Sequence, residues 1–324
     1  MNSAPAVVAP GKAALQTSRA DTSELLHFRH TVSVRRSIAE RVRQRLGLWL
    51  FRKSLPVFVR GTDSISLDPL VNGQWDHVLQ ALFRHAAGNG FGDFFIDIGA
   101  NIGLTSCQCG TLFRQVVMYE PNPELFPVLS LNAGMMLRAG QWQAFNFGLG
   151  PEARNTVLNV PAENFGGAFV HDEHNAYSDS LFAHKHAQPR FDLSHYCQVS
   201  IRIEATAQIL STLFDELHSR KLLRGVIKID VEGYERAIIE GIAACLPPAV
   251  GCLIVFENWD PQLDVAGLLG KFARAGKAYC IARSPAPRGA LWKDLPGMVL
   301  RRGAHFELVP AHTGACEGEI ALVV

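Results

Sequence analysis

Three short stretches carry acids and glycines at spacings that suit ligand chemistry. The first runs Phe94-Phe95-Ile96-Asp97-Ile98-Gly99-Ala100-Asn101-Ile102-Gly103. It reads as a buried strand ending near an acid, then a turn softened by two glycines, then a helix starting near Thr105. The second, Met118-Tyr119-Glu120-Pro121-Asn122-Pro123, ends another apolar run, with Glu120 lying 23 residues after Asp97. The third, Lys228-Ile229-Asp230-Val231-Glu232-Gly233-Tyr234-Glu235, follows a further strand-like run. Open α/β sheets bind ligands at the carboxyl ends of their strands, where all three acids would fall.

The residue types narrow the ligand. A nicotinamide fingerprint needs glycine where Asn101 stands, and no Gly-Lys-Ser/Thr follows to make a Walker loop. Asp97 would repel a pyrophosphate and suits a cationic amino group. Glu120, at the end of the second strand, can accept both hydroxyls of a ribose. The pair asks for a nucleoside with a positively charged amino-acid tail, and S-adenosylmethionine fits that description. The plainer reading of each acid alone is a turn cap for Asp97 and a solvated edge for Glu120.

A group transfer from such a ligand would need alignment with its acceptor and the removal of one proton. Asp230 is the first candidate for base or substrate positioning. Glu232, two residues on, reads as a structural carboxylate binding backbone N–H groups. Glu235 suits the positive end of the following helix. Glu257 ends the next strand-like run and could line the same cleft. Five histidines lie between 151 and 198, namely His171, His174, His184, His186 and His195. His171, near the Asn164–Gly167 turn, is the histidine chosen as an alternative base. Asp230 and Glu257 with a loop histidine could hold Mg²⁺, but that metal is not expected. The histidine spacing matches no standard zinc site, so no metal ligands are assigned.

These residues must be positioned by a larger frame. The chain has 324 residues, of which 48% are hydrophobic and 19% charged, which excludes a disordered chain. Apolar runs at 94–98, 116–119, 142–147, 226–229 and 253–256 alternate mostly with helical patterns, pointing to βαβ units and a doubly wound sheet. A stripe at Trp75, Val78, Leu79, Leu82 and Phe83 predicts a helix ending at the Gly/Asn-rich stretch before Gly92. The stretch 151–198 breaks the rhythm and reads as a functional loop or lid.

Charge is unevenly spread. The total is +1 at pH 7, yet Arg29 to Arg60 carries nine bases against Glu40 alone, and 61–324 is net negative. Val34, Ile38, Val42, Leu46 and Trp49/Leu50 mark the apolar stripe of a basic helix over 34–51, following an Ala/Ser/Pro-rich tail over 1–24. That helix could lie on an anionic membrane surface or dock its stripe on the main domain. Seven cysteines without CxxC or zinc spacing suggest reduced thiols and a cytoplasmic protein, peripheral to a membrane at most. No signal peptide or spanning segment is evident.

Together, Asp97–Gly103, Tyr119–Pro123 and the Lys-Ile-Asp-Val-Glu-Gly-Tyr-Glu stretch at 228–235 resemble the FkbM family of methyltransferases, over about Trp75 to Asn258. The first motif is shared by many methyltransferases, and the third is more particular. The resemblance implies a class I, Rossmann-like fold with a doubly wound, mostly parallel seven-stranded sheet. It also implies methyl transfer from S-adenosylmethionine, in most members to an oxygen. Carried over by position, Asp97, Gly99, Ala100, Asn101 and Gly103 would line the methionine half of the cofactor, with Asp230 beside them. Glu120 would hold the ribose, next to Pro121 and Asn122, and Phe147 and Gly148 would give adenine contacts. The sequence departs from the family in lacking an acid near Asn146–Gly150 and the usual Asp near Glu204–Ala207.

The expectation is therefore a tail and basic helix over 1–60 and a methyltransferase domain over 61–324, with a polar insertion near 151–200. The acceptor would be a small molecule or glycan: a sugar, a glycan or glycolipid precursor, or a natural product. The rivals are an inactive module that keeps the fold and a nicotinamide-dependent oxidoreductase. No nucleic-acid partner is expected, and the oligomeric state is open.

Overall fold

A computed structural model describes residues 27–33, 38–51, 59, 75–161, 164–260, 263–285, 303–311 and 318–324. The tail at 1–24 and the first turn of the expected basic helix lie outside these residues. The first elements among the described residues are strand β1 (Arg29–Ser33) and helix α1 (Ile38–Phe51). Helix α2 (His77–Ala86) follows, its amino end capped by the Asp76 carboxylate accepting from Leu79 N–H at 3.0 Å. It buries Leu79, Leu82 and Phe83 as the stripe predicts, and ends in a kinked turn over Ala87–Phe91 in which Gly90 takes φ +87°.

The βαβ rhythm then appears. Strand β2 (Phe94–Ile98), helix α3 (Leu104–Cys109), strand β3 (Gln115–Tyr119), helix α4 (Phe126–Met136) and strand β4 (Trp142–Phe145) follow in turn. Strands β5 (Gly148–Gly150), β6 (Arg154–Pro161) and β7 (Phe169–Val170), helix α5 (Asp179–Lys185) and strand β8 (Tyr196–Ala205) form the insertion. Helix α6 (Thr206–Ser219), strand β9 (Arg224–Ile229), helix α7 (Glu235–Cys245) and strand β10 (Gly251–Asn258) resume the alternation. Helix α8 (Val265–Gly270) and strands β11 (Lys277–Pro285), β12 (Gly303–Pro310) and β13 (Gly318–Val323) complete it.

Every residue of β2 and β3 is buried, as strands covered on both faces must be. Phe94, Ile96 and Ile98 share one core with Leu210 and Phe214 of α6 and Ile238 and Ile242 of α7. Phe95, on the opposite face, packs with Leu82 and Phe83 of α2, Cys107 of α3 and Leu129 of α4. Asp97 has the parity of Phe95 and so points into that second layer.

The sheet corrects one expectation. Among the described residues it is mixed and has nine strands, ordered β1-β12-β11-β13-β10-β9-β2-β3-β4, rather than seven mostly parallel ones. The five from β10 to β4 are parallel. Beyond β10 every pairing is antiparallel. β12 and β1 cover an edge that β11 would otherwise leave unpaired. Residues 29–33 thus belong to this sheet, although the sequence placed them with an N-terminal extension.

The insertion differs too. It is a four-stranded sheet, ordered β5-β8-β6-β7, not an irregular loop. The run 142–147 splits because Asn146 Nδ2 donates to the carbonyls of Glu120 and Pro121, turning the chain out of the large sheet. Among the described cysteines, Cys280 on β11 is disulfide-bonded, whereas Cys107, Cys109, Cys197, Cys245 and Cys252 are free. Cys280 thus departs from the expectation of reduced thiols, and the other described cysteines follow it. Among the described residues no helix is long and apolar enough to cross a membrane.

Candidate active site

The carboxyl ends of β2, β3, β9 and β10 open onto a cavity of about 330 Å³. Its floor is the turn after β2. Gly99 has φ +79°, and a Cβ there would collide with the carbonyl oxygen of Asp230. Only glycine lets the β2 and β9 chain ends cross so closely. Gly99 and Ala100 N–H both donate to Tyr119 O at 3.0 Å, and Asp230 N–H to Ile98 O at 3.0 Å. The turn is thereby pinned to both neighbouring strands.

Glu120 braces the same turn. Its two carboxylate oxygens accept from Asn101 N–H at 2.7 Å and Asn122 N–H at 2.8 Å. Asn101 sits at φ +53°, its own Oδ1 accepting from Ile102 N–H at 2.7 Å. Burial pushes the Glu120 carboxyl up to about 7 against these two donors. Each oxygen keeps a further lone pair for a ligand hydroxyl.

Seven expected cofactor residues line the cavity: Gly99, Ala100, Asn101, Glu120, Pro121, Gly148 and Asp230. Four do not. Gly103 starts α3 behind the turn, and Asn122 turns inward to hold Glu124 N–H at 2.9 Å. Phe147 packs on Tyr119 and Phe145 with its ring under the Arg202 guanidinium. Asp97 is 0% exposed and lies behind the floor. It accepts from Ser106 Oγ at 2.6 Å and Lys228 Nζ at 3.1 Å. The cation that Asp97 was expected to meet is supplied from within the fold.

Lys228 was the missed partner. Burial opposes its charge, but Asp97 and then Asp230 hold the ammonium above the usual lysine range. Its Nζ lies 3.3 Å from Asp230 Oδ2. Asp230 is 46% exposed at the cavity wall, so it is tethered yet open to a ligand. A lysine inside an apolar strand was a signal that an acid must lie nearby.

Two further acids sit beside it. Glu257 on β10 and Glu319 on β13 are cross-strand partners, and both line the cavity with Asp76. Like charges placed opposite each other repel. Desolvation first, then neighbouring carboxylates, raise Glu319 to about 8 and push Glu257 and Asp76 above their ordinary range. The opposite wall is apolar and comes from the insertion, with Leu158, Phe165, Val170, Ile201 and Ile203.

The third motif is a docking turn as much as a site. Gly233 has φ +104°, and a Cβ would collide with the Asn175 side-chain amide. Asn175 Nδ2 donates to Val170 O and to Glu232 O, clamping the insertion onto the turn. The backbone-binding acid is Glu235, not Glu232. It accepts from Val231 N–H at 3.3 Å and Gly233 N–H at 2.9 Å, and burial raises it to about 8. Glu232 instead pairs with Lys185 of α5. That ammonium also lies 3.7 Å from Glu257 Oε2, and 5.2 Å and 4.7 Å from the ring centres of Tyr177 and Trp259.

Among the described residues, one carboxylate oxygen from each of Asp230, Glu232 and Glu257 falls within 4.8 Å of the others. Lys185 supplies positive charge at that point, and a divalent cation would have to displace it. No histidine joins the group. His171 bonds Asp179 at 2.9 Å, stacks near Phe191 and does not line the cavity, so it is not placed to act as base. His186 bonds the Tyr196 hydroxyl at 2.7 Å inside the insertion's aromatic cluster.

The model of the methyltransferase FkbM domain matches residues 97–258. No curated protein matches the sequence. Among solved structures, the chain is similar to precorrin 8w decarboxylase of Methanobacterium thermoautotrophicum, at 10% identity and TM-score 0.36, covering 76% of this chain and 88% of that one. It is similar to methyltransferase FkbM of Methylobacillus flagellatus at 12% and 0.32, covering 83% and 60%. Magnesium protoporphyrin IX methyltransferase of Synechocystis, solved with bound S-adenosylmethionine, gives 12% and 0.36, covering 82% and 94%. At these values the structural likenesses carry no argument about activity.

Proposed function

Because the chain belongs to the FkbM methyltransferase family, we propose that it moves the methyl group of S-adenosylmethionine to a hydroxyl of a sugar, a glycan or glycolipid precursor, or a natural product. The residues fit such a donor. A glycine-floored cavity of about 330 Å³ has room for it, Glu120 offers free lone pairs to ribose hydroxyls, and Gly99, Ala100 and Asn101 line the cavity beside it. The donor, when bound, supplies an activated methyl on a positively charged sulfur.

This chain's residues then do three things. Glu120 and the Gly99–Asn101 turn hold the nucleoside in register. The apolar wall of Ile201, Ile203 and Phe165 excludes water from one side. Asp230, half-exposed and held by Lys228, accepts the acceptor's hydroxyl proton as the oxygen bonds to the methyl carbon. The donor's sulfur would keep the carbon–sulfur bonding pair as a neutral thioether, so charge and atoms would balance.

The observation that carries this reading is the convergence of Glu120 and Asp230 on one cavity beside a turn where Gly99 has no room for a side chain. Calorimetry with S-adenosylhomocysteine tests the binding half, with at least tenfold weaker binding expected for Glu120→Ala. Turnover across a panel of hydroxylated acceptors tests the rest, with Asp230→Asn lowering kcat by roughly 100-fold or more. Unchanged affinity in the first variant would remove the donor assignment.

A second reading of the acceptor rests on Asp76, Glu257 and Glu319. Three carboxylates crowded on one wall favour an acceptor that also carries an ammonium group, such as an amino sugar. Binding such a group would ionise Glu319 and release a proton. Calorimetry in buffers of different ionisation enthalpy reads that proton directly, and a neutral sugar would show none.

A further inference from the structure

Helix α1 leaves the described part of its apolar stripe in solvent. Ile38 is 56%, Val42 57% and Leu46 50% exposed, so these three side chains are not docked on the main domain. Spaced four apart, they span about 80° of arc at roughly 100° per residue. Arg45 lies about 20° outside one edge of that arc, Arg41 about 60° outside the same edge, and Arg43 about 60° beyond the other. All three arginines are exposed, and Glu40 falls on the opposite side of the helix. The cations therefore flank the stripe rather than oppose it.

We propose that α1 seats the protein on an anionic lipid surface, with Ile38, Val42 and Leu46 in the acyl boundary and Arg41, Arg43 and Arg45 at the phosphates. Charge favours this occupant. The stretch from Arg29 to Arg60 is +8, whereas 61–324 is −7 and would be repelled by the same surface. The protein would thus approach by its β1 edge, since β1 joins α1 to the sheet beside β12. A second copy of α1 would set arginines against arginines. Three aliphatic side chains also fall well short of the roughly 1,200 Å² that a stable interface buries. The inference does not depend on the reaction assigned above.

The test is co-sedimentation of the full chain with vesicles of phosphatidylcholine alone and of phosphatidylcholine mixed with phosphatidylglycerol. Binding is expected to the anionic vesicles, weakened by salt. Replacing all three arginines (Arg41→Gln, Arg43→Gln, Arg45→Gln) lowers the partition coefficient roughly 100-fold, at about fivefold each. Replacing the stripe (Ile38→Ser, Val42→Ser, Leu46→Ser) lowers it at least tenfold. Both variants keep the wild-type melting temperature and S-adenosylhomocysteine affinity, because the changed side chains touch solvent. Equal binding to neutral vesicles, no binding at low salt, or full binding by both variants would overturn the proposal. So would a dimer in light scattering that the stripe variant disperses.

Discussion

Lys185 of the insertion and Glu232 of the strand-end turn form an ion pair in which each side chain is only 11% exposed. It crosses from the small sheet to the large one, beside the acids of the cavity. Burial of Glu232 raises its carboxyl to about 7, with the Lys185 charge opposing that rise. The pair holds one wall of the cavity against the other.

Lys185→Met strands Glu232. Breaking a buried pair costs about 3–5 kcal/mol, and less where the stranded acid can take up a proton. Thermal unfolding should show a loss that grows with pH. Adding Glu232→Gln should recover part of it. A single variant as stable as wild type at pH 8 would mean that the insertion is held by other contacts.

Asp97→Asn should separate stability from ligand binding. It leaves the Lys228 ammonium buried against one fewer charge, at a cost of about 3 kcal/mol or more. The affinity of the remaining folded protein for S-adenosylhomocysteine should change less than about threefold, since roughly 0.7 kcal/mol is the most an indirect shift should cost. A large loss of affinity with unchanged stability would return Asp97 to the ligand.

Stability should fall as pH rises from 7 to 8.5. Glu235 and Glu319 are both raised from an ordinary 4.5 to about 8, so the folded state holds protons that the unfolded state has already lost. That favours folding at low pH, and the benefit fades as pH climbs through the raised values. His186 is lowered by burial and acts in the opposite sense, but the unfolded imidazole is already mostly neutral above pH 7. Each kcal/mol shifts the melting temperature by about 2–4 °C, so calorimetric scans at the two pH values suffice. Glu235→Gln should flatten the dependence.

His171→Gln should leave kcat within about twofold, because its partners are Asp179 and the insertion's aromatic rings, and general-base loss costs roughly 100-fold or more. Steady-state turnover with any accepted substrate checks this. A loss of two orders of magnitude would place the proton acceptor on the insertion.

The core strands, the helix over 77–86, the glycine turn and the acids at strand ends were legible in the sequence. Each is written in a window of a few residues: an apolar run, a stripe, a glycine where φ must be positive. The small sheet was not legible. Its strand β8 has mixed burial, and its partner β6 lies tens of residues away, so no local period marks the pairing. Nor could local pattern separate Glu232 from Glu235, because their roles depend on Lys185 and on where the turn points its N–H groups.

By itself the sequence determined that acids and glycines gather at the ends of parallel strands, since hydrophobic periodicity and backbone sterics act between near neighbours. Tertiary structure alone decided which acids meet solvent. Asp97 is silenced by Lys228, 131 residues away, while Glu319 is brought opposite Glu257 from the far end of the chain. Charge is governed by distance through space and by burial, and neither is fixed until the chain has folded.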